Sequence, residues 1–457
     1  MITDFCVVIL FLMLLIKNIQ IMQKDWNLMD TIQSNKHSLQ DEKDLDALIK
    51  HICDAKIVML GEASHGTHEY YAGRALISRR LIEEKGFNFI TVEGDWPPCY
   101  QINRFIKNYV GRQKDIQEVL QVFDRWPTWM WANWEIAAFS WWLHQYNLKH
   151  VPLNRIGFYG LDVYSLWESL QAIVNYLEKE DPEAASVAKQ AIRCFEPYWE
   201  KDDGQQYAWA TYLVPKTCEN QVIELLQTIQ AKMLHDDTDI EARLSTEQNA
   251  WVAVNAERYY RAMIKPGPDS WNIRDYHMME TLNRLLQFHG KEAKAIVWEH
   301  NTHIGDARFT DMQDDGMINI GQLAREQYGD QAVKLVGLGS YQGTVMAGRS
   351  WGAKQEIMQV PTAREGSWEK LLHDISPDNF YLLMDEIRDS FGSGTVYDHR
   401  AIGVVYHPER EHYGNYVPSQ IANRYDAFVY YDETQALHPI KHEKKLTKMP
   451  ETYPWNF

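Results

Sequence analysis

The stretch KIVMLGEASHG, residues 56–66, decides the fold. Its apolar first part, KIVML (56–60), stops at a glycine and continues as a polar turn, which is typical of a buried strand that ends in a loop. Similar short runs recur as FNFITVE (87–93), RIGFYGLD (155–162), KAIVWEH (294–300), VKLVGLG (333–339), YLLMD (381–385), AIGVVYH (401–407) and FVYYDE (428–433). Helical patterns separate these runs, so we predict an α/β fold with a mainly parallel central sheet flanked by helices.

The chain between residues 166 and 290 follows a different pattern. Val222, Leu226 and Ile229 recur there at helical spacing, and no convincing strand interrupts the segment. We therefore predict a large helical insert, about residues 166–290, inside one α/β domain that spans residues 30–445.

The composition narrows the class of protein. The chain of 457 residues carries a formal charge of −17, which repels phosphate backbones and disfavours nonspecific nucleic-acid binding. Its cysteines are scattered without a Cys-x-x-Cys pair, and they are Cys6, Cys53, Cys99, Cys194 and Cys218. This pattern predicts neither a disulfide framework nor a structural zinc site, and it favours a cytoplasmic protein.

The N-terminus contains an apolar run, FCVVILFLMLLI (5–16). The run is shorter than the roughly 20 residues that a membrane helix needs, and it lacks the flanks of a secretory signal. We interpret residues 1–22 as either a membrane-surface anchor or an over-extended translation start. Membrane contact is expected only if the segment is a real part of the protein.

Acids and histidines stand at the ends of three predicted strands. Glu62 and His65 follow the run 56–60, Glu93 ends the next run, and His300 and His303 lie at and beyond the end of KAIVWEH. Because the carboxyl ends of parallel strands meet at one edge of the sheet, we expect these side chains to share a cleft.

Such a cluster can activate water. A neutral imidazole accepts a proton from water when a carboxylate fixes its tautomer, and His65 with Glu62 or Glu93 fits this pair. Arg74 or His300 would then stabilise the developing oxyanion. The pattern predicts hydrolysis without a covalent intermediate.

Serine catalysis is the first alternative. GRSWG (348–352) matches the G-x-S-x-G motif with Ser350, but that motif must join a strand to a helix. The flanking sequences YQGTVMA and KQEIMQVP both indicate strands, so we interpret the segment as a hairpin turn. Ser64 more plausibly forms a hydrogen bond within its own turn.

A metal site is the second alternative. Glu62, His65, Glu93, His300 and His303 are all acceptable ligand types for zinc or iron. The sequence contains no compact ligand motif such as H-E-x-x-H, and the adjacent His68 and Glu69 add candidates without specificity. We predict no cofactor and leave a divalent metal open. A protein that binds a small molecule without turning it over is also left open.

The tryptophan-rich stretch 124–146 has two interpretations. Trp134, Ala138, Trp141 and Trp142 recur on one helical face, which predicts ordinary core packing. The alternative is that the aromatic side chains line a cleft for a large apolar ligand.

Several motifs together resemble the erythromycin esterase family. They are G-E-x-S-H-G-T-x-E (61–69), the following Arg74, TVEGDWP (91–97), VWEHNTHIGD (297–306) and RYDAFVYYDETQALHP (424–439). The resemblance implies an α/β core with helical elaboration and a hydrolase that opens a macrolide lactone, with macrolide resistance as its consequence. It also implies that His65 is the base that activates water and that Glu62 assists it.

The same matching assigns Arg74, Glu93, His300 and His303 to the site. Glu299 departs from the family pattern, which often has a small residue there. We expect this extra carboxylate to raise the pKa of His300 or to recruit a metal.

Overall fold

The computed structural model describes residues 26–109, 115–198, 205–213, 216–232, 239–391 and 394–440. Within these ranges the strands are β1 (His37–Ser38), β2 (Ile57–Leu60), β3 (Phe89–Asp95), β4 (Gly157–Asp162), β5 (Ala295–Trp298), β6 (Val333–Gly348), β7 (Gln355–Val360), β8 (Phe380–Leu383), β9 (Tyr397–Arg400), β10 (Tyr416–Ser419) and β11 (Ala427–Thr434).

Helices connect these strands. They are α1 (26–35), α2 (Asp46–Ile52), α3 (His68–Lys85), α4 (Trp96–Ile106), α5 (Ile116–Leu120), α6 (Trp134–Asn147), α7 (Leu166–Glu180), α8 (Pro182–Phe195), α9 (Gln205–Leu213), α10 (Glu219–Lys232), α11 (Ile240–Ala262), α12 (Asp269–His289), α13 (Asn301–Ile304), α14 (Ile320–Tyr328), α15 (Trp368–Ile375), α16 (Met384–Ile387), α17 (Glu411–Gly414) and α18 (Ile421–Arg424).

The main sheet has the strand order β1-β8-β11-β6-β2-β5-β3-β4, with β7 paired to β6. Neighbours from β11 to β4 are parallel, whereas β1, β7 and β8 pair antiparallel at the margins. The mainly parallel sheet predicted from sequence is confirmed. In sequence β2 is followed by β3 and β4, but in the sheet β5 lies between β2 and β3. The connections between strands therefore change direction beside β2. Sheets of this class bind ligands outside the carboxyl ends of strands at such a point.

Both faces of the parallel strands are buried, which explains why their sequences are continuous apolar runs. In β2, Val58 and Leu60 lie in the apolar cluster that contains α3, α4 and α6. Ile57 and Met59 lie in the opposite cluster, which contains α12 and α14. The arrangement is a helix–sheet–helix sandwich with the sheet in its centre.

The helices α7 to α12 form the insert between β4 and β5, and no strand occurs between Leu166 and His289 among the described residues. The predicted helical insert is confirmed. It has its own apolar core, to which α8 and α10 contribute Ala188 and Val222. Its last helix, α12, also packs on the sheet through Met278. The insert therefore connects directly to the edge of the sheet.

Cys194 and Cys218 form a disulfide inside the insert. The expectation of no disulfide is wrong for this pair, because the packing of α8 against α10 brings together cysteines that are 24 positions apart in sequence. Cys53 and Cys99 are free. The cytoplasmic location stays a prediction.

The segment AIGVVYH (401–407) is not a strand, and that prediction is wrong. It makes only isolated bridges, between Ile402 and Ser64 and between Val405 and Gly348. Two of its apolar side chains, Ile402 and Tyr406, are buried in a small cluster beside the β6–β7 hairpin. Burial against the hairpin accounts for the apolar run without a strand ladder.

Ser350 lies in the turn between β6 and β7, so the predicted hairpin is confirmed. In the tryptophan-rich stretch, the expected core packing holds for Trp134 and Ala138, which are buried. It is wrong for Trp141, whose side chain is 48% exposed on the outer face of α6.

Among the described residues, no helix is both long enough and apolar enough to cross a bilayer. The N-terminal segment 1–22, interpreted from sequence as an anchor or an over-extended start, lies outside the described residues.

Candidate active site

Four adjacent strands, β2, β5, β3 and β4, end at one edge of the sheet. Their ends and the loops that follow border a cavity of about 360 Å³. The polar wall of the cavity includes His65, Glu93, Asp162, Arg274, His300 and His303. Four of these residues were expected from sequence, and the structure brings them together.

The turn after β2 is held by backbone hydrogen bonds to two elements, β6 and the start of α13. The Gly61 N–H donates to the Val336 carbonyl (2.8 Å), and the Asn301 N–H donates to the Glu62 carbonyl (2.8 Å). The Met346 N–H donates to the Gly66 carbonyl (2.9 Å). These bonds hold the turn after β2 in place, and so they fix the position of the His65 imidazole that the turn carries.

His65, Glu62 and Arg74 form a buried chain of hydrogen bonds. The Nδ1–H of His65 donates to Glu62 Oε1 (3.0 Å), and Arg74 Nη2 donates to Glu62 Oε2 (2.7 Å). The Arg74 guanidinium lies between the rings of Tyr71 and Trp298, with its Cζ 4.5 and 4.9 Å from their centroids. Arg74 was expected to face the cleft, but it is fully buried behind Glu62 and does not line the cavity.

The Nε2 atom of His65 is on the cavity side of the ring. Its nearest described carboxylate oxygen is Oε1 of Glu93, at 4.0 Å, which is too long for a hydrogen bond. Burial by itself would lower the pKa of His65, but Glu93 and Glu62 together raise it above its ordinary value. The two carboxylates therefore make this imidazole a stronger base.

The hydrogen bonds of His300 leave its imidazole as a neutral hydrogen-bond donor. As the N-cap of α13, its Nδ1 accepts from the Thr302 N–H (3.2 Å) and the Thr302 hydroxyl (2.8 Å), so the ring proton lies on Nε2. That Nε2 is buried and has no hydrogen-bond partner among the described residues. Burial, followed by the neighbouring His65, lowers the pKa of His300 well below its ordinary value. A neutral N–H is thus available 5.0 Å, ring to ring, from His65.

Arg274 and Asp162 are the two polar residues of the cavity wall that were not expected from sequence. Its guanidinium forms a two-point ion pair with Asp162 (2.9 and 2.7 Å), and Nη2 also donates to Glu93 Oε1 (2.7 Å). Asp162 could have been predicted as a site residue, because it ends the predicted strand 155–162. Arg274 could not have been predicted from local sequence, because it comes from α12 in the insert and reaches the site only through tertiary packing.

Glu93 is the centre of this charge network. Its Oε2 accepts from the His300 N–H (2.8 Å), while Oε1 faces Arg274. Burial by itself would raise the pKa of Glu93, but the basic side chains of His303, His65 and Arg274 hold it well below its ordinary value. Glu93 is therefore ionised at neutral pH.

His303 is held from both ring nitrogens. Because a guanidinium can only donate, Arg274 Nη1 donates to His303 Nε2 (2.8 Å), and the ring proton lies on Nδ1, facing Asp275 (3.0 Å). The ring also stacks on Trp271 at 4.4 Å. With both nitrogens engaged, His303 supports the network and has no free atom for proton transfer.

Glu299 does not act as the sequence analysis expected. The pKa of His300 is lowered rather than raised, chiefly by burial and by the neighbouring His65. The Glu299 carboxyl is fully buried and neither oxygen has a partner among the described residues. Burial, with the nearby Glu93 and Asp275, raises the pKa of Glu299 well above its ordinary value. This shift favours the protonated, uncharged form of the Glu299 carboxyl.

Aromatic side chains form the other wall of the cavity. The stretch 124–146 contributes Trp126 and Trp131, and Trp351 comes from the β6–β7 turn. Trp131 Nε1 donates to the Glu93 carbonyl (3.0 Å), which anchors this wall to β3. The cleft-lining interpretation thus applies to the beginning of the stretch, and core packing applies to the buried face of the helix that follows.

The candidate metal ligands of the cleft do not form a ligand set in the structure. Among the described residues, only one group of three donors lies within mutual ligand distance, and it is outside this cleft. Between Glu93 and His303 the available space is taken by the Arg274 guanidinium, a cation that repels a metal ion.

Comparisons with known proteins agree with this architecture. Two solved structures, a succinoglycan biosynthesis protein and a Bacillus cereus protein, match with TM-scores of 0.73 and 0.72 at 18% identity. Each match covers 91% of this chain and 98% or 99% of the other chain. A variant of the erythromycin esterase EreC in its open conformation matches with a TM-score of 0.63 at 15% identity, over 86% of this chain and 94% of that one. These likenesses show the fold.

Sequence comparison adds the family. Erythromycin esterase type II of Escherichia coli is 23% identical over an alignment of 404 residues, and the match covers 78% of this chain and 87% of that protein. The sequence profile described as Erythromycin esterase matches residues 82–434. The match covers most of the chain, although it begins after the turn that carries Glu62 and His65. The chain therefore belongs to the erythromycin esterase family.

Proposed function

We propose that this protein hydrolyses carboxylic esters, including macrolide lactones, by attack of a water molecule that His65 activates. The observation that carries the proposal is the orientation of His65. Its Nδ1 is fixed by Glu62, and its Nε2 is on the cavity side without a hydrogen bond to a described residue. A base oriented in this way accepts a proton from water bound in the cavity.

Other contacts support the remaining steps. We expect the Nε2–H of His300, which has no partner among the described residues, to stabilise the oxyanion that forms when water adds to the ester carbonyl. The protonated His65 then returns its proton to the leaving alkoxide, and the products are a carboxylate and an alcohol. Arg74 acts indirectly, because it positions Glu62. Arg274 positions Glu93 and His303.

The substrate assignment comes from the family. Its E. coli relative is named as an erythromycin esterase, and the aromatic wall of Trp126, Trp131 and Trp351 suits a large apolar ring. We infer that macrolides are among the substrates and that the activity confers macrolide resistance. No serine is needed for this chemistry. Ser64 is hydrogen-bonded to Thr67, and Ser350 lies in a hairpin turn.

The test is His65→Gln, measured against a panel of simple esters, lactones and erythromycin. We expect kcat to fall by roughly 100-fold or more, because a general base contributes that much. The variant should still fold, because the glutamine side chain at position 65 can donate a hydrogen bond to Glu62. Circular dichroism and the melting temperature check the fold of the variant.

Ser64→Ala and Ser350→Ala are the matched controls. Both should keep near-normal turnover, and mass spectrometry during turnover should find no acyl adduct on the protein. Near-normal turnover in His65→Gln contradicts the proposal. So does an acyl-serine, or a wild-type protein that binds esters without hydrolysing them.

A further inference from the structure

A second cluster of chemistry-bearing side chains lies at the N-terminal ends of α3 and α6. Glu135 Oε1 is 2.6 Å from His68 Nδ1 and 2.7 Å from His438 Nδ1. One donor atom from each side chain lies within 4.8 Å of the others. None of these residues lines the catalytic cavity, and the proposed hydrolysis does not use them.

The backbone fixes the three segments that carry this cluster. The His68 N–H donates to the Gln435 carbonyl (2.8 Å), which ties α3 to the segment after β11. The Trp134 N–H donates to the His438 carbonyl (3.0 Å), which ties the same segment to α6. The donors are therefore held in place by main-chain bonds that do not depend on the side-chain contacts themselves.

The carboxylate of Glu135 is incompletely satisfied. Both imidazoles contact Oε1, while Oε2 is buried and has no hydrogen-bond partner among the described residues. Glu135 as a whole is only 3% exposed. A buried carboxylate oxygen without a donor is unfavourable, and a bound cation would satisfy it.

The donor set matches a known metal chemistry. Two imidazoles and one carboxylate with an open position form the ligand set of several zinc and iron sites. Metal–ligand bonds of about 2.0–2.2 Å place neighbouring donor atoms of a tetrahedral ion roughly 3.3 Å apart. The two distances from Glu135 Oε1 to the imidazole Nδ1 atoms, 2.6 and 2.7 Å, would have to lengthen by roughly 0.6 Å to reach that arrangement. His438 is 41% exposed, so an ion can enter from solvent and keep water in its open position.

We infer that His68, Glu135 and His438 bind one divalent first-row metal ion, Zn²⁺ in preference, which fastens the segment 435–440 to α3 and α6. The role is structural. The ion crosslinks three parts of the chain that are far apart in sequence, so its binding stabilises the folded protein.

The experiment uses the full-length protein stripped with a chelator and titrated with Co²⁺ and then Zn²⁺. Visible absorption reports the Co²⁺ coordination, and displacement by Zn²⁺ gives the Zn²⁺ affinity. We expect one equivalent to bind and the melting temperature to rise. Glu135→Gln and His438→Ala should each weaken binding by at least about 100-fold, since each removes a ligand.

Two control variants locate the ion. His373→Ala removes a half-buried imidazole that is paired with Asp432, and it should bind the metal as the wild type does. His65→Ala removes a candidate ligand of the catalytic cavity and should also bind normally. Loss of binding in His65→Ala with normal binding in His438→Ala would place the ion in the cavity and overturn the inference.

The remaining outcomes are also decisive. Stoichiometric binding that survives both Glu135→Gln and His438→Ala overturns the inference, and so does a wild-type protein that binds no metal. His438 is partly exposed, so its replacement should leave the metal-free fold intact. An unchanged melting temperature of the metal-free variant checks this point.

Discussion

His65 lies between two carboxylates, and this environment has a measurable consequence. Glu62 holds Nδ1, and Glu93 lies 4.0 Å from Nε2. Although burial opposes them, both carboxylates favour the imidazolium, and they raise the pKa of His65 above 6.5. A base must be neutral to accept a proton, so under the proposed mechanism the raised pKa makes His65 a stronger base but reduces the fraction of it that is neutral near pH 7.

The pH dependence of kcat/KM tests this environment. The rate should fall as the pH drops through the pKa of His65 in the free enzyme, and that pKa should lie above 6.5. In Glu62→Gln the falling limb should move to lower pH, because one of the groups that raise this pKa is gone. An acidic limb that stays in place in Glu62→Gln would mean that another group titrates.

The elements explain which parts of the site could be predicted from sequence. Glu62, Glu93 and His300 stand where strands end, and the apolar runs that precede them are buried on both faces. The local sequence is therefore enough to identify these three residues as candidates for the site. The same signal was misleading at residues 401–407, because a run that is buried against the β6–β7 hairpin has the same composition as a strand.

The turn after β2 depends on a glycine. A Cβ at Gly66 would lie 1.9 Å from the Met346 carbonyl oxygen, and backbone cannot give way as a side chain can. Gly66→Ala should therefore displace the turn and destabilise the protein by about 1–3 kcal/mol, as overpacking does. Urea unfolding measures the loss. The turnover number should fall as well, because a shift of about 1 Å at His65 is enough to lower the rate.

Gly414→Ala is the matched control for this change. Gly414 ends α17, and a Cβ there would meet nothing within 4 Å. We expect the stability and activity of Gly414→Ala to equal those of the wild type. Equal stability of Gly66→Ala and Gly414→Ala would show that the turn is adaptable rather than fixed.

On the scale of the molecule, the site is shared between the sheet and the insert. Arg274 comes from α12 and pairs with Asp162 and Glu93 at the strand ends. No local pattern could predict this contact, because residues 162 and 274 are brought together by the packing of the insert. The disulfide between Cys194 and Cys218 escaped prediction for the same reason.

The mouth of the cavity is formed by two parts that are also distant in sequence. Trp126 and Trp351 lie with ring centroids 4.7 Å apart, and Trp126 Nε1 donates to the Ala353 carbonyl (2.9 Å). Trp351 lines the cavity and is 50% exposed, so it stands at the rim. The aromatic stretch and the hairpin turn together supply apolar surface that a bulky substrate would contact.

Trp351→Ala should therefore change substrate selection rather than chemistry. Removing the indole takes away part of the aromatic wall, and we expect kcat/KM for a bulky lactone to fall by about tenfold relative to that for a small acetate ester. The catalytic groups are untouched, so kcat for the small ester should stay near the wild-type value. Ile357→Ala removes an exposed apolar side chain from the same hairpin outside the cavity, and its ratio should not change. An unchanged ratio in Trp351→Ala, or an equal loss for both substrates, would show that the rim does not select by size.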